Sequence, residues 1–136
     1  MRIYFSCSIR GARPDPETIP GLIEHMKRHG TVLTEHIGGL LEGDEVDTPD
    51  DEIFLRDVDW LGEADALVAD VTAPSLGVGY EIGIAETLGK PILCLYRRQR
   101  GKRLSAMILG NAKLRLKRYS GLAEACEHID EFFGSL

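Results

Sequence analysis

Two acids carry the chemical interest of this chain. Glu81 closes the run Ser75-Leu76-Gly77-Val78-Gly79-Tyr80-Glu81, and Asp57 sits in Arg56-Asp57-Val58-Asp59-Trp60-Leu61. Small residues before Glu81 let a ligand approach the backbone, and a helix opening there offers N–H groups to an anion. Read as lying in the first turn of that helix, Glu81 is kept ionised by the helix N-terminus, as a nucleophile requires. The plain alternative is a helix-end acid with no further task. For Asp57 the plain alternative is a solvated helix acid. Cleavage of a glycosidic bond gives such a pair separate work: one acid attacks the anomeric carbon and the other donates a proton to the leaving group.

A second group suits phosphate. Ser6, Ser8 and Arg10 follow an apolar run at the N-terminus, with Gly11 and Arg13 beyond. Hydroxyl donors beside a guanidinium fork match a phosphate, and an ordinary polar loop is the competing reading. Tyr4 lies inside the apolar run. It is read either as core or as a hydroxyl aimed at a neighbouring carboxylate. His36 follows a second short apolar run and is a candidate ligand contact. His25 and His29, four apart, have the spacing of some metal ligands. They are expected on the wet face of a helix, with no metal bound. The acidic stretch containing Glu42, Asp44, Glu45 and Asp47 lacks the order of a calcium loop and reads as a mobile lid.

These residues must be positioned by alternating strands and helices. Strands are expected at 3–7, 31–34, 66–71, 91–96 and 114–119, the last as an edge strand. Helices are expected at 19–29, 53–61, 79–88, around 104–109, and 122–133. In the second helix Phe54, Leu55, Val58 and Leu61 mark a buried face. The β-α-β-α order predicts an α/β fold, a flavodoxin-like, doubly wound, five-stranded parallel sheet with helices on both faces. Ligands of such folds bind beyond the carboxyl ends of the strands, near the switch point. The loops 8–14, 72–79 and 97–105 should meet there. The glycines at 77, 79 and 83 do not have dinucleotide-fingerprint spacing and do not follow the first strand, which argues against NAD.

The bulk properties fit this picture. A chain of 136 residues with 43% hydrophobic residues is the size of one domain, 1–136. Its formal net charge of −6 disfavours a general nucleic-acid binder, and the basic run from Arg97 to Arg103 reads as a solvated loop. The three cysteines Cys7, Cys94 and Cys126 fit no disulfide or metal pattern, which suits a reducing compartment. No signal peptide and no membrane-length apolar run is seen. The cytoplasm, or the nucleus in a eukaryote, is the expected location.

Five segments then carry a resemblance. They are Tyr4-Phe5-Ser6-Cys7-Ser8-Ile9-Arg10-Gly11, Thr31-Val32-Leu33-Thr34-Glu35-His36, Asp57-Val58-Asp59-Trp60-Leu61, Ala73 to Gly83 with the block P-S-L-G-V-G-Y-E, and Leu104-Ser105-Ala106-Met107-Ile108. In order and content they resemble the 2′-deoxynucleoside 5′-phosphate N-hydrolases, which belong with the nucleoside 2-deoxyribosyltransferases. The resemblance implies that Glu81 attacks C1′, that Asp57 is the acid/base, and that Tyr4 orients the glutamate. It implies 5′-phosphate contacts at Ser8, Arg10, Ser75 and Ser105, with Gly11, Gly77 and Gly79 in the same binding loops. Ile9, His36 and Met107 would surround base and sugar. Ser105 and Met107 would reach the site of a neighbouring subunit, so a homodimer is implied. The family commonly has Cys-Gly-Ser where this chain has Ser6-Cys7-Ser8, so Cys7 is expected to narrow the pocket or shift base preference.

The expected activity is hydrolysis of the N-glycosidic bond of a (deoxy)nucleoside 5′-monophosphate through a glycosyl-enzyme intermediate, with no cofactor and no metal. Ile9 leaves room for a purine. The alternatives are a deoxyribosyltransferase, a CMP-type ribonucleotide N-hydrolase, or a nucleotide-binding module without catalysis. The expected partner is a small nucleotide, with neither nucleic acid nor membrane.

Overall fold

The structure is a computed structural model that describes residues 1–9, 17–40 and 47–136, with the side chains of 39 and 40 excepted. Five strands form one parallel sheet: β1 (Arg2–Ser6), β2 (Thr31–Val32), β3 (Ala66–Asp70), β4 (Ile92–Arg97) and β5 (Arg115–Tyr119). Their order is β2-β1-β3-β4-β5, with β5 at an edge. This is the expected flavodoxin-like arrangement, with the direction of winding changing between β1 and β3.

Among the described residues six helices connect or close the strands: α1 (Thr18–Met26), α2 (Ile37–Leu40), α3 (Asp50–Glu63), α4 (Leu76–Thr87), α5 (Ala106–Leu109) and α6 (Leu122–Gly134). The acidic residues 42, 44 and 45 lie outside the described residues.

The pleat divides the core in two. Ile3, Phe5, Val68, Leu93 and Leu95 point to the layer formed with α1 and α6. Tyr4, Leu67, Ala69, Cys94 and Tyr96 point to the layer formed with α3 and α4. Successive residues of a strand face opposite ways, so one five-residue strand serves both cores. The same rule sends Cys7 into the α1/α6 layer, where it is buried. Its side chain therefore lies on the face opposite Tyr4, contrary to the expectation that it narrows the pocket. Burial also pushes its thiol up to about 12, so it is an inert core sulfhydryl.

Helix α4 starts three residues earlier than expected. Ser75 caps it, its Oγ accepting the Val78 N–H at 3.3 Å. It ends at Leu88, where Gly89 takes the left-handed conformation at φ 68° that only glycine adopts without cost. Helix α3 also departs from expectation. Of its apolar residues only Leu61 is buried, while Phe54 and Leu55 are exposed. The assumed buried face was chosen by spacing alone; α3 instead turns its Leu61 side toward the sheet and leaves Phe54 and Leu55 outside.

Candidate functional site

Tyr4 and Ser6 are two apart on β1, so both point to the α3/α4 layer. Glu81 meets them from α4. The Tyr4 hydroxyl donates to Glu81 Oε1 at 2.6 Å, and the Ser6 hydroxyl donates to Glu81 Oε2. Each carboxylate oxygen is thus held by one hydroxyl. Tyr4 and Ser6 are both buried, so neither hydroxyl is diluted by water.

Glu81 is the sixth residue of α4, and the first turn of that helix holds no acid. The expectation that the helix N-terminus keeps Glu81 ionised is therefore corrected, because the dipole effect falls off within the first turn. Ionisation rests on the two hydroxyls instead. Burial raises the Glu81 pKa above the ordinary glutamate value and nearby Asp57 adds to the rise, while the bonds from Ser6 and Tyr4 oppose it. Burial, reinforced by the Glu81 charge, also drives the Tyr4 phenol far up. Tyr4 is a hydrogen-bond donor here and not a source of protons.

Asp57 approaches from α3. The Arg56 fork reaches Asp57 Oδ1 through Nε at 2.9 Å and through Nη2 at 2.9 Å. The same guanidinium lies over the Trp60 ring, 4.8 Å from its centroid. His36 packs against the other part of this group, its ring 5.5 Å from Trp60. Burial lowers the His36 pKa, and Arg56 lowers it further. The ring is therefore neutral near pH 7 and can accept or donate one hydrogen bond without adding charge. Tyr4, Ser6, Asp57, Glu81, His36, Arg56 and Trp60 thus meet beside the β1/β3 switch.

Ser6 was assigned to the phosphate loop, and its bond to Glu81 was missed. Its spacing from Tyr4 was the signal: residues two apart on a strand share a face. Arg56 and Trp60 were missed as well. Arg56 and Trp60 are four apart, a spacing that makes helix side chains neighbours, and that was the available signal.

The proposed binding residues are more scattered. Ser8 is buried just beyond β1, and Ile9 is partly exposed next to it. Arg10 and Gly11 lie outside the described residues, as does Arg13. Gly77 and Gly79 sit in the first turns of α4, and a side chain at 79 would meet nothing within 4 Å. Ser75 and Ser105 turn out to be N-caps, Ser105 accepting the Met107 N–H at 3.2 Å. A cap occupies a lone pair and leaves the O–H free to donate, so capping and phosphate binding are compatible. Ser105 and Met107 stand at the surface on α5, Met107 being 81% exposed. The loops after β3 and β4 are joined directly: the Arg97 N–H donates to Thr72 Oγ1 at 2.9 Å.

A conserved-domain comparison and two sets of relatives bear on this geometry. The family model for nucleoside 2-deoxyribosyltransferase matches residues 3–126. The chain is 52% identical over 113 residues to the mouse 5-hydroxymethyl-dUMP N-hydrolase, covering 81% of this chain and 65% of that protein. It is 50% identical over 112 residues to a putative 2′-deoxynucleoside 5′-phosphate N-hydrolase 1 of Nematostella vectensis, covering 80% and 76%. Among solved structures, BlsM superposes with a TM-score of 0.79 at 26% identity, covering 98% of this chain and 90% of that one. The CMP N-glycosidase BcmB of Clostridium botulinum superposes with a TM-score of 0.71 at 20% identity over 97% and 99%, a likeness of fold. The chain belongs to the nucleoside 2-deoxyribosyltransferase family.

Proposed function

We propose that this chain hydrolyses the N-glycosidic bond of (deoxy)nucleoside 5′-monophosphates, releasing free base and (deoxy)ribose 5-phosphate. The observation that carries the reading is the half-buried Glu81 carboxylate with each oxygen held by a separate hydroxyl. That arrangement fixes the carboxylate's direction, a condition for in-line attack. Glu81 attacks C1′, the C1′–N bond breaks, and its electron pair leaves with the base. Asp57 supplies the proton the base takes up. Water then attacks C1′ of the glycosyl ester, Asp57 takes a proton from that water, and Glu81 is regenerated. Both Arg56 contacts fall on Oδ1, so Oδ2 is the oxygen assigned to carry the proton.

Ser8, Arg10, Ser75 and Ser105 are assigned to the 5′-phosphate, with the Gly77 and Gly79 backbone beside it. Ile9, His36 and Met107 are assigned to base and sugar. A homodimer completes the site, Ser105 and Met107 entering the neighbouring one. Its support is the apolar surface of α3, α4 and α5: Phe54, Leu55, Leu76, Tyr80 and Met107 are all exposed, and Phe54 and Tyr80 rings lie 6.4 Å apart across α3 and α4. Exposed apolar side chains that meet each other, as Phe54 and Tyr80 do, mark interaction surfaces. Among the described residues no helix is long and apolar enough to cross a membrane. The three free cysteines support placement in the reducing cytosol or nucleus.

Incubation with dGMP, dCMP, 5-hydroxymethyl-dUMP, CMP and deoxyguanosine, scored for free base by chromatography, tests the reading. Base should appear from at least one monophosphate, and far more slowly from deoxyguanosine. Release from none of them would leave a binding module. Equal cleavage of deoxyguanosine and dGMP would remove the phosphate assignment.

A further inference from the structure

On the opposite side of the sheet from Glu81, α1 and α6 run side by side in close contact. A Cβ on Gly21 would lie 2.6 Å from Leu122 Cδ2, so the absence of a side chain at 21 sets how near the helices come. Residues 21, 25 and 29 follow one another at i, i+4 spacing along α1 and the turn that closes it. Residues 122, 126 and 130 do the same along α6. Rows with this spacing pack ridge against groove. They bring His25 and His29 onto Asp130. His25 Nε2 is 2.8 Å from Asp130 Oδ1, and His29 Nε2 is 2.6 Å from the same oxygen. The three donor atoms lie within 4.8 Å of one another.

This corrects the expectation that the two histidines sit on a wet helix face. The His25 and His29 side chains are only 14% and 24% exposed. His29 is further fixed by stacking on Phe133, with ring centroids 4.9 Å apart and planes at 25°.

We propose that His25, His29 and Asp130 form a binding site for a divalent transition-metal ion of the zinc type, which ties α1 to α6. Two imidazoles and one carboxylate are a donor set that zinc accepts, leaving a fourth position for water. Zinc distances of about 2.0–2.2 Å put tetrahedral donors roughly 3.4 Å apart, so the two separations from Asp130 must open by less than about 1 Å. Asp130 is half exposed and has the freedom to do so. On binding, each Nε2 presents its lone pair to the metal, and the proton it had donated to Asp130 moves to Nδ1 of a neutral ring or leaves to solvent from an imidazolium. The imidazoles are largely covered, and His29 is stacked on Phe133, so they are already oriented, which reduces the entropy lost on binding. Cys126 lies one turn before Asp130 in the same row of α6.

The test uses the full chain without an affinity tag, stripped with chelator and titrated with zinc chloride in a calorimeter. One zinc per chain should bind with a micromolar or tighter dissociation constant, and the melting temperature should rise with zinc concentration. Cobalt in place of zinc should give visible absorption bands of a low-coordinate site. Asp130→Ala and His29→Ala should each weaken zinc binding by at least about tenfold, because each removes one of three protein ligands. His36→Ala should bind zinc like the parent. Circular dichroism confirms folding of each variant, and Asp130→Asn, which keeps the shape and loses the charge, serves if Asp130→Ala does not fold. Absence of saturable binding in the parent overturns the proposal. So does undiminished binding in both Asp130→Asn and His29→Ala, or loss of binding in His36→Ala.

Discussion

The two faces of the sheet are built on different plans. On the α1/α6 face the helices are one-sided. Ile19, Leu22, Ile23 and Met26 of α1 and Ala125, Ile129, Phe132 and Phe133 of α6 are all buried, and the polar triad His25–His29–Asp130 sits at the rim. On the α3/α4 face polar groups penetrate the core, where Tyr4, Ser6 and Glu81 are joined by hydrogen bonds. Its helices are also apolar on more than one side. In α4, Val78, Ile82 and Ala85 are buried while Leu76 is 96% exposed. One face is made for stability. The other sacrifices some of it, holding a half-buried carboxylate between two hydroxyls and leaving apolar surface uncovered by its own chain.

That contrast can be broken by five substitutions. Asp57→Asn should lower kcat for base release by about 10²–10⁴-fold, the usual contribution of a general acid–base group, with little change in melting temperature. Retained kcat would show that the polar group on the α3/α4 face is structural. Leu22→Ala should act oppositely. It should destabilise the fold by about 2–5 kcal/mol in a denaturant titration, with the kinetics of the remaining folded protein unchanged.

Tyr4→Phe and Ser6→Ala each remove one bond to a charged carboxylate, worth about 1.5–3 kcal/mol, so kcat/KM should fall roughly 10–200-fold. The pH profile separates this from a packing defect. Both hydroxyls stabilise the carboxylate and hold the Glu81 pKa down against its burial. Without either one that pKa rises, so the acidic limb of kcat/KM, below which Glu81 is protonated and inactive, should move to higher pH. An unmoved limb would mean that another group sets it.

Leu76→Asp should change fold stability by no more than about 0.5 kcal/mol, as an exposed substitution. It should nevertheless convert the proposed dimer to monomer in sedimentation. An unchanged dimer would place the interface elsewhere.

The same contrast explains what the sequence reveals. The strand–helix order and the parallel sheet were legible, because apolar strand runs and periodic helical segments alternate along the chain. Helix α3 was misread for another reason. Phe54 and Leu55 are apolar yet exposed, and a spacing rule cannot tell a core from an uncovered surface. Glu81, Asp57 and Tyr4 were recognisable through the P-S-L-G-V-G-Y-E block and its companions. The Ser6–Glu81 bond spans 75 positions and the His29–Asp130 contact spans 101. Such pairings depend on which helix packs on which face, so they became visible only with the fold. The start of α4 was misjudged because Gly77 and Gly79 weaken helix propensity, while the Ser75 cap, which decides the boundary, was read as a phosphate ligand.

The central claim is that Glu81 is the nucleophile. Its direct test is free-base release from the best monophosphate substrate by the parent and by Glu81→Ala, with substrate binding followed in parallel by calorimetry. The variant should bind the nucleotide and remain folded, yet lose turnover by several orders of magnitude, about 5 kcal/mol or more of transition-state stabilisation. Release of base at the parental rate by Glu81→Ala would contradict the account.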